Sequence, residues 1–272
     1  MKLGLIGCGH IGGSLARALR VAGVAKRVIG SDVDPRAATR AKMLGIIDEI
    51  GPPPADADVI VVAVPPAAIA EVCRALPPSD AVVTDVGSVK AKVVAAAEAA
   101  LGGRFVGGHP MAGTERSGPD AADARLFDGR RVIITPTPRS DPKAVARVKE
   151  LWKAAGAQVL EMTPEAHDKV VAALSHLPHA AVFALAGALQ ERGVDDLRGL
   201  AGPTFVDVTR VAVSRAPLWG EIFRENREVL LPLVDVFTRR LTALRAAIEA
   251  GDDATVTRLI DEARSAREKI VS

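Results

Sequence analysis

The chain opens on an apolar run, Lys2–Ile6, that passes straight into Gly7-Cys8-Gly9-His10-Ile11-Gly12 and then into an Ala- and Leu-rich stretch with helical spacing. This junction limits the fold more tightly than any other segment. Gly-x-Gly-x-x-Gly between a strand and a helix meets three physical needs. The first glycine allows a tight turn, the second removes a side chain where a pyrophosphate approaches, and the third lets helix and strand pack closely. The helix that starts there offers free N–H groups and the positive end of its dipole to phosphate. With a strand before it and a helix after it, the pattern predicts a dinucleotide site made by Gly7, Gly9 and Gly12. His10 and Ile11 belong to the same turn and are assigned to the cofactor site with them. The next β-rich run, Arg27–Ser31, ends in Asp32, twenty residues after Gly12. An acid at that place accepts hydrogen bonds from ribose hydroxyls and repels a 2′-phosphate, so NAD is expected over NADP. Asp34 before Pro35 serves the separate purpose of starting the next helix. Arg36 is the nearby cation that would favour a 2′-phosphate.

The rest of the N-terminal half repeats this alternation. Strands are expected at Asp58–Val64, Ala81–Val86, Arg104–Val106, Arg131–Thr135 and Gln158–Glu161, with alanine-rich helices between them. Runs such as Ile60–Val64 are continuously apolar, as in strands covered on both faces. This predicts an α/β domain over residues 1–163, a Rossmann-type doubly wound, mostly parallel sheet. After Glu161 strand signals stop. Helices are expected over about Pro164–Arg192, Pro203–Ser214, Pro217–Ala250 and Asp252–Ile270, so residues 164–272 read as an all-helical second domain.

Composition removes several classes of function. Of 272 residues 49% are apolar and 25% charged, which suits a folded globular chain. A net charge of +2 and an aromatic share of 3% give neither the field nor the stacking surface for nucleic acid. Two distant cysteines, Cys8 and Cys73, read as reduced thiols of a cytoplasmic protein and make no metal cage. The apolar start resembles a signal peptide, but its glycines would break the apolar helix such a peptide needs. The run Val170–Leu189 has the length of a membrane span, yet Ser175, His176, Pro178 and His179 would be penalised in hydrocarbon. A buried helix of a soluble protein is the expectation.

In sheets of this kind ligands bind at the carboxyl ends of the strands. Three polar segments are expected at or near that edge: Thr84–Lys90, Gly107–Gly118 and Ser175–His179. His109 follows two glycines and precedes Pro110, which suggests a sharply shaped loop. A neutral imidazole there would accept a hydroxyl proton while hydride leaves the adjacent carbon. Ser88 would bind the same hydroxyl, orient the imidazole or cap a helix. Pro178 falls inside a helical pattern, where it should kink the helix at a cost of about 3 kcal/mol. Ser175 and His179 are four apart and share a face, while His176 turns away. Arg210, in an otherwise apolar segment, needs an anion, and Asp207 or a substrate carboxylate would supply it.

Taken together, Gly7–Ala16, TDVGSVK, GGHPMAGTERSG, HDKVVAALSHLPH and FVDVTRVAVSRAPLWGEIFRENR resemble the prephenate/arogenate dehydrogenase family over nearly the whole chain. The resemblance implies a Rossmann domain followed by a helical domain that forms a homodimer. It also implies NAD(P)-dependent oxidative decarboxylation of a cyclohexadienol. By that resemblance His109 is the catalytic base at the C4 hydroxyl, supported by Ser88, and Arg210 binds the ring carboxylate. Ser175 and His179 contact the substrate side chain. Glu115 and Asp207 belong to an ionic network, and Trp219 approaches from the partner subunit. Prephenate is the expected substrate, with arogenate or both as the alternative. Arogenate's ammonium would want an acceptor such as Glu115, whereas the keto acid of prephenate would want donors such as His179 and Ser175. Neither a fused mutase domain nor a regulatory domain of the ACT type is expected. A dehydrogenase for β-hydroxyacids or imines would not need the HPMAG segment, and a non-catalytic dinucleotide sensor would not explain Ser88, His109 and Arg210.

Overall fold

A computed structural model describes residues 1–113, 116–193, 197 and 199–272, with Arg192 described through its backbone alone. Its centre is an eight-stranded sheet in the order β3-β2-β1-β4-β5-β6-β7-β8. The strands are β1 (Lys2–Ile6), β2 (Arg27–Ser31), β3 (Glu49–Ile50), β4 (Val59–Val62), β5 (Val82–Asp85), β6 (Phe105–Pro110), β7 (Arg131–Thr135) and β8 (Gln158–Glu161). Strands β1 to β6 run parallel to their neighbours, β7 is antiparallel to β6, and β8 is parallel to β7. The order 3-2-1-4-5-6 is that of a Rossmann sheet, whose direction of winding reverses between β1 and β4.

Helices cover both faces, and the alternation of side chains along β4 makes the division visible. Val59 and Val61 join a core with α1 (His10–Val21) and α5 (Pro142–Ala154). Ile60 and Val62 join another with α3 (Pro66–Ala75) and α4 (Ala91–Leu101). One strand thus feeds both cores, which explains its continuously apolar sequence. The sheet helices begin where the local sequence dictates. Asp34 accepts from the N–H of Arg36 to start α2 (Pro35–Met43), and Asp141 accepts from Lys143 to start α5, each with Pro in the first turn.

The third helical layer differs from expectation in two ways. The segment expected as a kinked helix is α6 (Pro164–Val171), a π-helical turn over Ala172–His176, and α7 (Leu177–Arg192). Pro178 therefore falls in the first turn of α7, after a widened turn that absorbs its missing N–H, so the full cost of an interior proline is not incurred. Nor is this segment buried within the chain. Leu174 and Leu185 are exposed, and Pro164–Glu191 is long and apolar enough by composition to cross a membrane. Two shorter helices follow, α8 (Pro203–Thr209), continued by a 3-10 turn, and α9 (Ala216–Glu225). The chain divides into compact units at residue 226. The second unit is a pair of helices, α10 (Arg227–Ala250) and α11 (Asp253–Val271), joined by Arg240–Glu262 at 2.7 Å.

Candidate active site

The glycine junction has the anatomy the sequence predicted. Gly7 has φ 93°, and a Cβ on it would lie 2.1 Å from the carbonyl oxygen of Ala63. A Cβ on Gly12 would lie 2.3 Å from the carbonyl oxygen of Gly7, so these two glycines hold α1 tight against the sheet. A Cβ on Gly9 would meet nothing within 4 Å. Among the described residues the space is open where a pyrophosphate would come, and no side chain caps α1. This fits a dinucleotide held by backbone N–H groups. Asp32 stands at the end of β2, accepting from Cys8 N at 2.8 Å and Asp34 N at 3.0 Å, which fixes its carboxylate beside the loop. Its neighbour Arg36 is exposed, and its N–H is held by Asp34. His10 is nearly buried and its Nδ1 lies 3.2 Å from the carbonyl oxygen of Arg116, while Ile11 packs on the core. These two side chains face the protein, so what they offer a cofactor is their backbone.

His109 lies on β6 itself, opposite Ile133 of β7, and not on the loop expected from its glycines. Gly107 and Gly108 are strand residues. A Cβ on Gly107 would come within 2.5 Å of Thr135 Oγ1, and one on Gly108 within 2.8 Å of the Asp85 carbonyl oxygen. They mark close approach of neighbouring groups, not a turn. The alternation along β6 puts His109 on the face of Phe105, the side covered by α3 and α4.

Around His109 the structure assembles a polar cluster that the sequence reading had only in part. His109 Nδ1 lies 2.8 Å from His167 Nε2, and His167 Nδ1 lies 2.8 Å from Asp168 Oδ1. Asp168 also accepts from Lys90 N and Ala91 N, each at 2.8 Å, and so caps α4 from another element. Ser88 does not cap that helix; it sits half-buried in the loop between β5 and α4. Under the cluster Lys90 and Asp85 form a fully buried ion pair. Lys90 Nζ donates to the Gly108 carbonyl at 2.9 Å, and Asp85 accepts from Gly87 N and Gly108 N. The pair ties the Ser88 loop to the strand that carries His109. Removing one partner of such a pair costs about 3–5 kcal/mol, because a charge is left buried.

The pKa directions follow from burial. His109 is held well below the usual histidine value, first by burial and then by His167, Lys90 and His176. His167 is lowered by burial, with Asp168 opposing. Asp168 remains below its usual value although burial pushes it up, because His167 and the N–H groups of Ala91 and Lys90 stabilise the anion. At neutral pH the cluster therefore presents two uncharged imidazoles and one carboxylate.

The substrate-side residues are less closely gathered. His179 Nδ1 lies 2.8 Å from the carbonyl oxygen of Ser175, so the backbone of Ser175 is what orients it. The ring stacks on Trp219 with centroids 3.5 Å apart and an interplanar angle of 20°. Trp219 meets His179 of its own chain and is nearly buried there. Its place on α9 is set by Phe183 and Phe223, which pack around it. Arg210 follows α8 and acts on His179, whose pKa is lowered by burial first and by the Arg210 charge as well. Arg210 and Asp207 are exposed. Glu115 lies outside the described residues.

Three further residues carry the cluster. The same reasoning that singled out polar groups in the apolar run after residue 170 would have reached His167-Asp168 one turn earlier. Asn226, at the end of α9, donates to the Asp168 carbonyl at 2.9 Å and sits 3.2 Å from His176 Nδ1. Nothing in its local sequence signals that role.

Comparison with known proteins gives the family. Residues 15–161 match the prephenate dehydrogenase nucleotide-binding domain, and residues 163–262 match the prephenate dehydrogenase dimerization domain. A prephenate dehydrogenase of Bacillus subtilis is 34% identical, over 97% of this chain and 74% of the relative. A cyclohexadienyl dehydrogenase of Zymomonas mobilis is also 34% identical, over 97% of this chain and 94% of its own. The crystal structure of prephenate dehydrogenase from A. aeolicus, in complex with hydroxyphenyl propionate and NAD+, superposes with a TM-score of 0.89 at 35% identity. That superposition covers 99% of this chain and 98% of the other. With both halves matched, and relatives a third identical along almost its whole length, the chain belongs to the prephenate dehydrogenase family.

Proposed function

We propose that this chain is an NAD-dependent prephenate dehydrogenase of tyrosine biosynthesis, working in the cytoplasm as a homodimer. Residues 1–163 hold the cofactor, and residues 164–272 shape the substrate pocket and form the dimer. The observation that carries the reading is His109. It is an uncharged imidazole at the carboxyl edge of the sheet, held at Nδ1 by His167, on the same edge as the glycine loop and Asp32.

The residues divide the work by chemistry. NAD, held at the N-terminus of α1, supplies the hydride acceptor. His109 takes the proton of the C4 hydroxyl as hydride leaves C4. The ring carboxylate then departs as carbon dioxide, its bonding electrons complete the aromatic ring, and His109 returns the proton to the phenol oxygen. Ser88, in the loop that Asp168 and Lys90 anchor, supports that hydroxyl. Arg210 attracts the ring carboxylate. His179 and Ser175 meet the pyruvyl side chain, with Trp219 fixing the plane of His179. Asp207 completes the charge pattern around Arg210. Aromatisation supplies much of the driving force, so the protein's task is alignment and charge placement.

Arogenate is the second reading, favoured by the likeness to a cyclohexadienyl dehydrogenase. The test is NADH formation by purified protein with prephenate or arogenate, each with NAD or NADP. Turnover with prephenate and NAD is expected, together with a loss of about 10²–10⁴-fold in kcat for His109→Asn. Turnover with arogenate alone would move the assignment to the second reading. No turnover with either substrate, or full turnover by His109→Asn, would overturn it.

A further inference from the structure

Four hydrogen bonds made by Asp168 fix more than the position of His109. Asp168 accepts from Lys90 N, Ala91 N and the His167 ring, while its own carbonyl accepts from Asn226. A carboxylate so surrounded by donors stays ionised, and an ionised carboxylate only accepts. His167 Nδ1 must therefore carry the proton it shares with Asp168. A neutral imidazole has one N–H, so His167 Nε2 is bare and acts as an acceptor. The nitrogen facing it at 2.8 Å, His109 Nδ1, must then be the donor. That leaves His109 Nε2 with its lone pair free.

We propose that His167 and Asp168 are positioning residues that set the tautomer of His109, keeping its proton on Nδ1 and making Nε2 the base. The proposal rests on the prephenate dehydrogenase reading for its consequence in catalysis, but the tautomer itself exists without substrate. When His109 takes up a proton, the imidazolium donates from Nδ1 to His167 Nε2, an acceptor that Asp168 polarises through His167 Nδ1, so the base is oriented before reaction and stabilised during it. The charged and titratable groups that face His109 are His167 on α6, Lys90 before α4 and His176 in the π-helical turn. Those facing His167 are Asp168, Lys90 and Asp85. The carboxylate of Asp168 is the anion hydrogen-bonded to His167, so the direction of the chain is determined.

The same carboxylate caps α4, which follows directly on the Ser88 loop. Asp168 therefore fixes the base and the anchor of that loop together. The two groups that would meet one hydroxyl are placed from a single point on the first helix after the sheet.

Two measurements test this. Nitrogen-15 spectra of the histidine rings read the tautomer without any substrate. The chain has five histidines, and the His109 signals are those lost in His109→Gln. In the unmodified protein His109 Nδ1 is expected as the protonated nitrogen and Nε2 as the bare one, and His167→Leu should abolish that preference. In turnover, His167→Leu is expected to lower kcat about ten- to hundredfold with a much smaller change in KM, as for other groups that orient a reacting residue. His167→Gln should recover most of the loss, because its side-chain carbonyl can still accept from His109 Nδ1. An Nε2–H tautomer in the unmodified protein would overturn the proposal. So would unchanged kcat in His167→Leu, or a His167→Gln as impaired as His167→Leu. Absence of turnover in the unmodified protein, with the expected tautomer present, would count against the assigned reaction and leave the relay standing.

Discussion

At the scale of single residues, His176 shows what the cluster costs the fold. It is 1% exposed. Asn226 must present its N–H groups to the Asp168 carbonyl, so the same amide donates to His176 Nδ1. The proton of the neutral His176 ring is then on Nε2, which has no hydrogen-bond partner among the described groups. Burial first, then His167 and His179, lower its pKa to about 4, with Asp168 opposing. In the unfolded chain a histidine takes up a proton near pH 6.5, so between pH 6.5 and 4 the unfolded state binds a proton that the folded state refuses. Stability is therefore complete above pH 6.5 and lost as pH falls through that window. The loss amounts to about 3 kcal/mol from this residue. His109, His167 and His179, also lowered, act in the same direction. Urea unfolding at pH 7, 5.5 and 4.5 should show this decline, and His176→Gln should flatten it. A slope in His176→Gln equal to that of the unmodified protein would remove His176 as its source.

At the scale of elements, the glycine junction separates two functions that the motif merges. Gly12 touches the Gly7 carbonyl, so a methyl group there must push α1 away from β1. Gly9 faces open space, so a methyl there obstructs only a ligand. Gly12→Ala is expected to lower the unfolding free energy by about 1–3 kcal/mol, the range of overpacked sites. Gly9→Ala should leave the melting temperature nearly unchanged and weaken NAD binding at least tenfold by calorimetry. Equal loss of stability in both variants would show that Gly9 is structural too. The junction was legible because its constraint is local: three glycines, a strand and a helix within the twenty residues Lys2–Val21. The π-helical turn and the continuation of β6 through Gly107–Pro110 were not. A proline in a helical pattern signals a departure from the α-helix without saying whether the helix bends or widens. Gly107-Gly108 signals close approach as readily as a turn, and the neighbours that decide between them, Thr135 and Asp85, come from other strands. His109 was found by its composition and neighbours, yet its partner His167 is 58 residues away, a pairing that only the fold creates.

At the scale of the whole molecule, the alternation of strands and helices and its end at Glu161 were readable, because buried parallel strands and helices have different periods. How the helical half covers itself was not, since sequence shows that a helix is apolar but not what lies against it. The helices α7 and α8 make the point. Phe205, Val206 and Val208 are 41%, 55% and 52% exposed on a helix of seven residues, and Leu174 and Leu185 are exposed nearby in sequence. A soluble chain rarely leaves so many large apolar groups in water, so a second surface is required. Two occupants suit such groups: another copy of the chain, as the matched dimerization domain suggests, or lipid. They differ in what the protein does without detergent. If a second copy covers these groups, the protein sediments as one species of twice the chain mass in plain buffer. Val206→Asp with Val208→Asp would then shift it toward the monomer, because two carboxylates would have to be desolvated in the contact. A monomer in the unmodified protein would exclude the dimer, and solubility only with detergent would favour lipid. Since α8 leads directly into Arg210, the same double variant should also raise KM for prephenate if the dimer contact holds that turn in place. Loss of the dimer with KM unchanged would mean that the turn is held within the single chain.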